Sequence, residues 1–133
     1  MPDRLEIDRL MRELYAARER GDLEGVCQFF ADVAKFQIAS ARQVSALAVT
    51  TSGADEFRPL LALLIKTFKL NDMTIISIVI DGAKAAVHWR ANIHSKITGA
   101  TIPTELVDLV EIQNSRIVSY IEFFAQCHRS EGN

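Results

Sequence analysis

Asp108 and Glu122 are the residues of this sequence whose type and placement call for a chemical reason. They interrupt the apolar positions of TELVDLVEIQNSRIVSYIEFFAQ, residues 104–126, in which two runs rich in Val, Ile, Leu, Tyr and Phe flank Gln113-Asn114-Ser115-Arg116. Asn114-Ser115 is turn chemistry, so the stretch reads as a β-hairpin. A three-residue turn would make the numbers of opposed residues sum to about 230. Asp108 then lies opposite Glu122, and Val110 opposite Tyr120. Like charges placed opposite each other destabilise a sheet. Either the pair faces water, or it lines a polar pocket within an apolar sheet. Two carboxyls close together in a low dielectric cannot both ionise easily, so one pKa rises and that group becomes fit for acid–base work near neutrality.

Several elements must position this hairpin. Ile7, Leu10, Met11, Leu14 and Tyr15 follow the repeat of an amphipathic helix, with Asp3 to cap its start and Gly21 to end it. Asp22 caps a second, shorter helix whose stripe is Leu23, Val26, Cys27 and Phe30, closed by Ala31-Asp32; Gly25 leaves its capping box incomplete. Val33 to Ile38 reads as a strand. Val44 to Thr50 reads as a second short strand or an ordered loop, and Ser52-Gly53 breaks the chain. A third helix starts near Asp55, with Pro59 in its first turn. Its stripe is Phe57, Leu60, Leu61, Leu64, Ile65 and Phe68, and Lys66 and Lys69 fall in its last turn. Met73 to Ile80 is an apolar strand covered on both faces. Asp81-Gly82 turns it into Ala83–Lys96, where Val87, Trp89, Ala91 and Ile93 form a dry face and His88, Arg90, Asn92 and His94 a polar one. Thr98-Gly99 turns the chain again, and Pro103 marks an edge or bulge. HRSEGN is a frayed tail. The class is α+β: helices on one face of a long antiparallel sheet that curls around the third helix, with a concave face and an open mouth for a small ligand.

The chain has 133 residues, 49% of them hydrophobic, which suits one domain over residues 1–133 with one core. A net charge of −2 gives no basic surplus for nucleic acid. No apolar run approaches the roughly 20 residues of a membrane span, and MPDRLEIDRL lacks a signal peptide's apolar centre. The setting expected is cytoplasmic, with Cys27 and Cys127 as free thiols. Nucleotide-binding, P-loop, nucleophile-elbow and zincin motifs are absent. His88 and His94 lack the spacing of two ligands on one wall and His128 lies in the tail, so neither metal nor cofactor is expected. Cys27 has no local His partner for nucleophilic catalysis. Trp89, Tyr15 and Phe30 each have a packing reading beside a ligand-platform one.

With these residues placed, the chain resembles the nuclear transport factor 2-like cone fold, which includes ketosteroid isomerases, scytalone dehydratase, limonene epoxide hydrolase and SnoaL-like polyketide cyclases. The resemblance covers nearly the whole chain. It rests on ARERGDLEGVCQFFAD after the first helix, DGAKAAVHWR on the central hairpin, and PTELVDLVEIQNSRIVSYIEFF at the end, where Asn114-Ser115-Arg116 stands for the usual Asp-Gly-Lys. It implies that Asp108 matches the strand Asp that ketosteroid isomerases keep protonated, its pKa raised by an apolar site, to hydrogen-bond an enolate oxygen. Tyr120, Glu122 and Phe124 match pocket positions of the last strand, and Val87, Trp89 and Ala91 the pocket side of the central strand. The sequence also departs from the pattern. The isomerase's base falls on Ile38, and its helix tyrosine on Leu14, with Tyr15 one residue away and pointing elsewhere. Glu122 stands as a replacement base.

Two readings follow. One is a small isomerase, cyclase or lyase acting by proton transfer on a compact hydrophobic carbonyl substrate, with Asp108 and Glu122 catalytic and Tyr15, Phe30, Trp89, Tyr120 and Phe124 around the substrate. The alternative is a non-catalytic ligand-binding or dimerisation module of the same fold. Apolar strands on both faces fit a homodimer in either case.

Overall fold

The computed structural model describes residues 3–40 and 49–124. Residues 41–48, which hold most of the Val44–Thr50 stretch read as strand or loop, the tail with His128, and Cys127 lie outside the described residues. The elements are α1 (Arg4–Arg20), α2 (Leu23–Cys27), β1 (Phe30–Ser40), β2 (Val49–Ser52), α3 (Ala54–Thr67), β3 (Phe68–Asp81), β4 (Lys84–Ser95), β5 (Thr101–Gln113) and β6 (Arg116–Phe124). The six strands form one curved sheet in the order β2-β1-β6-β5-β4-β3. All neighbours are antiparallel except β1 and β6, which run parallel. This is the expected α+β class.

The caps read from the sequence are present. Asp3 accepts from the Glu6 N–H, Asp22 from the Gly25 N–H, and Gly21 closes α1 at φ 71°. Ile7, Met11, Leu14 and Tyr15 are fully buried. It is this face of α1, with α3 beside it, that the sheet encloses; α3 alone does not fill the curl. Of the stripe assigned to α3, Phe57 and Leu61 are buried, Leu60, Leu64 and Ile65 are half-buried, and Phe68 is exposed.

Several boundaries differ from expectation, each for a local reason. Phe30 does not close α2; it opens β1 opposite Ile117 of β6, and Ala31-Asp32 continues the strand. Helix α3 stops at Thr67, because Phe68 is extended at φ −123° and ψ 139°. The chain therefore passes from helix into strand with no Gly or Pro to announce it, and Lys69 belongs to β3. Pro59 lies in the second turn of α3, since Gly53 occupies the N-cap position. The carbonyl whose helical N–H donor it removes belongs to exposed Asp55. Strand β3 is the sheet edge, and none of its residues is fully buried within the chain; Val79 is 60% exposed. Pro103 sits opposite Asn92 in a continuous β4–β5 register, so it makes no bulge there.

The hairpin between β5 and β6 reaches the expected register by another route. Its turn has two residues, Asn114 and Ser115, both at positive φ (52° and 62°), as a type I′ turn requires. Gln113 faces Arg116, one short of the three-residue register. Ile112 then faces Ile117 while Glu111 faces Ser119, so Val118 is an inserted bulge residue. Beyond it Val110 faces Tyr120 and Asp108 faces Glu122.

Candidate functional site

Strand pairing lines up the interior in rows. Val87, Asp108, Glu122 and Ile38 form one row across β4, β5, β6 and β1; Ala85, Val110, Tyr120 and Phe36 form the next. Because side chains alternate along a strand, both rows share a face with Trp89, whose own row runs through Leu106 to Phe124. That face is the dry one. Asp108 is wholly inaccessible and Glu122 4% exposed, and the remaining fully buried side chains beside them are apolar or aromatic. The carboxyl pair therefore lies inside the fold.

Three donors converge on one oxygen of Asp108. The Trp89 indole N–H donates to Oδ2 at 2.8 Å, and the hydroxyls of Tyr15 and Tyr120 donate to the same atom. The two tyrosine oxygens lie 3.0 Å apart. Tyr15 thus points at Asp108, contrary to the expectation that it looks elsewhere; its one-residue offset from Leu14 is absorbed by the width of the buried helix face. Asp108 Oδ1 is buried and has no hydrogen-bond partner among the described residues.

Glu122 has a different neighbour. Arg18 donates from Nη1 to Glu122 Oε1 at 2.7 Å and to the Tyr120 hydroxyl at 3.0 Å. The same nitrogen stands 3.9 Å from Asp108 Oδ2, and the guanidinium lies over the Trp89 ring, 5.1 Å from its centre. The sequence reading missed Arg18. Its signal was present: Arg18 follows Leu14 by four and Tyr15 by three, which continues the buried stripe of α1 with a cation.

Burial pushes the Asp108 carboxyl up to about 7, and the Glu122 carboxylate pushes in the same direction; Arg18 and the two tyrosine hydroxyls oppose them. Burial, and then the nearby Asp108 charge, raise both Tyr15 and Tyr120 well above the ordinary phenol value, which keeps them as donors. Burial works against the Arg18 cation, but Glu122 first and then Tyr120 outweigh it, so its pKa rises.

The other assigned residues build the wall. Phe30 is buried between Phe57 and Tyr120, at 5.2 and 5.7 Å between ring centres, and Phe36 packs on Tyr120 at 5.4 Å. Trp89 packs on Tyr15 at 5.4 Å. Phe124 is half-buried at the end of its row. Ile38, where the isomerase pattern has its base, is buried beside Glu122 in the Asp108 row. Among the described residues no group of three His, Cys, Asp or Glu is placed to hold a metal ion, and no helix is long and apolar enough to cross a membrane.

Solved structures with this architecture have little sequence in common with the chain. A candidate isomerase from Bacillus subtilis superposes with a TM-score of 0.82 at 15% identity, covering 94% of this chain and 90% of its own. An M. tuberculosis LEH-like epoxide hydrolase gives 0.74 at 15% identity, covering 93% and 86%. A Catenulispora acidiphila protein with a ketosteroid isomerase-like fold, in complex with trimethylamine, gives 0.71 at 14%, covering 87% and 85%. No functionally curated protein matches. The likenesses establish the nuclear transport factor 2-like fold, and residues 11–120 match the SnoaL-like domain, so the chain belongs to the SnoaL-like family.

Proposed function

We propose that this protein is a proton-transfer enzyme, of the isomerase, cyclase or lyase kind, acting on a compact hydrophobic carbonyl compound through Asp108. The observation that carries the reading is the division of labour between the two Asp108 oxygens. Oδ2 is saturated by three donors, while Oδ1 is buried without a partner among the described residues. An orphaned buried polar atom costs about 1–3 kcal/mol, which a purely structural carboxyl would avoid. An acid titrating near 7 is populated in both forms at neutral pH, as a group that takes and returns a proton must be. In the step proposed, ionised Oδ1 removes a proton from the carbon beside the carbonyl. The C–H pair moves into the enolate and an O–H bond forms on Asp108; return of that proton to another carbon completes an isomerisation.

The test is deuterium exchange into small cyclic ketones, followed by proton NMR. The native protein is expected to exchange the α-positions, and Asp108→Asn to lose the rate by about 100-fold or more. Equal rates for both would end the reading. The alternative, a non-catalytic module, draws on the close aromatic packing around Tyr120 and would give no exchange from either protein.

The same proposal includes a homodimer through the outer sheet face. Val79, Ala86, Leu109 and Ile121 form an apolar row there, with Val79 and Leu109 60% and 44% exposed. Light scattering should give a dimer at micromolar concentration, and Val79→Lys a monomer. A native monomer would refute it. A cytoplasmic setting, in which buried Cys27 stays a thiol, accompanies this reading.

A further inference from the structure

Among the described residues the interior holds two carboxyls in adjacent strands, and one cation stands between their surroundings. We propose that Arg18 is the positioning residue that decides which of the two exchanges the proton, by binding Glu122 and the Tyr120 hydroxyl and so holding its charge against Glu122 rather than Asp108. This rests on the proton-transfer reading of Asp108 and assigns it a determinant outside the sheet.

Arg18 touches three of the residues that surround Asp108. It donates to Glu122 and to Tyr120, and it lies over Trp89, whose N–H is itself spent on Asp108. Asp108 it reaches only at 3.9 Å, beyond hydrogen-bond distance. The titratable and charged groups facing Asp108 are Tyr15 and Arg18 from α1 and Tyr120 and Glu122 from β6; β4 supplies Trp89 and Val87, and β1 supplies Ile38 in the same row. Remove the guanidinium, and two buried carboxyls face each other with one cluster of donors. Such a pair shares its protons, and neither member owns the titration. With the guanidinium in place the two carboxyls stand in different surroundings. Glu122 takes the cation, and Asp108 takes the neutral donors and the burial. A lysine would keep the charge but not the planar contact with Trp89.

The experiment is carbon-detected NMR titration of the side-chain carboxyls in the full chain, native and in three variants. In the native protein Asp108 should titrate near 7. In Arg18→Gln the Asp108 midpoint should rise by about one unit or more, because the cation that opposes its burial is lost. Arg18→Lys should return most of the native midpoint. In Glu122→Gln the Asp108 midpoint should fall by about one unit, because a repelling charge is lost and the cation is released toward Asp108. An Asp108 curve unchanged in Arg18→Gln overturns the proposal. If Arg18→Gln does not fold, an unchanged curve in Glu122→Gln alone overturns it. The titration stands whether or not ketone exchange is observed, so failure here and failure of the catalytic reading are told apart.

Discussion

Helix α3 has the more regular apolar repeat, and helix α1 has the more important face. The stripe of α3 is aliphatic and aromatic throughout, yet only Phe57 and Leu61 are fully buried. The stripe of α1 carries a phenol and an arginine, yet Ile7, Met11, Leu14 and Tyr15 have no more than 1% exposure. Periodicity reports that a helix has an inside; it does not report how far inside. In α1 the polar members are the ones tied to the sheet, through Tyr15 to Asp108 and through Arg18 to Tyr120 and Glu122.

The largest effect that would sharpen this contrast is a core truncation. Leu14→Ala is expected to cost about 2–5 kcal/mol in urea unfolding, as fully buried leucines do. A cost below about 1 kcal/mol would dissolve the contrast.

Next comes the pH dependence that the polar members impose. The Asp108 pKa is raised in the folded chain, so folding favours its protonated form. Its contribution to stability is full below the unfolded value near 4, and is lost as pH rises through about 7. The native thermal midpoint should therefore fall between pH 5 and 8 by about 4 °C or more relative to Asp108→Asn. Parallel profiles would mean that burial does not perturb this carboxyl.

The smallest effect lies on α3. Leu64 is half-buried, so Leu64→Ala should cost about 1 kcal/mol, less than the full core value its place in the stripe suggests. A loss equal to that of Leu14→Ala would put the two helices on the same footing.

The architecture was legible from the sequence because its signals are local. Asp3, Gly21, Asp22, Gly82 and Asn114-Ser115 act within a few residues of where they stand, and the alternation from Val87 to Ile93 names its own dry face. The pairing of Asp108 with Glu122 was legible because a hairpin register is short-range arithmetic. What escaped depends on contacts distant in the chain. Arg18 meets Glu122 across 104 positions, and Tyr15 meets Asp108 across 93. The end of α3 was missed for the opposite reason: Phe68 is a good residue for helix stripe and strand alike, and no breaker separates them.

The bulge at Val118 ties loop length to the identity of the interior. The turn at Asn114-Ser115 is one residue short for the alignment the site needs, and the inserted residue restores it. The short turn and the bulge offset each other, so the alignment depends on Val118 staying outside the ladder. Taking Val118 into the ladder as an ordinary paired residue would set Ile121 in place of Glu122 opposite Asp108 and rotate everything beyond it by half a pleat, whereas deleting it would leave the register intact. Tyr120 and Glu122 would then turn to the outer surface, and Ile121 and Phe123 would turn inward, giving a greasier and chemically mute interior on the same backbone. Among relatives with hairpins of other lengths, polarity of the interior is then a question of phase as much as of residue type.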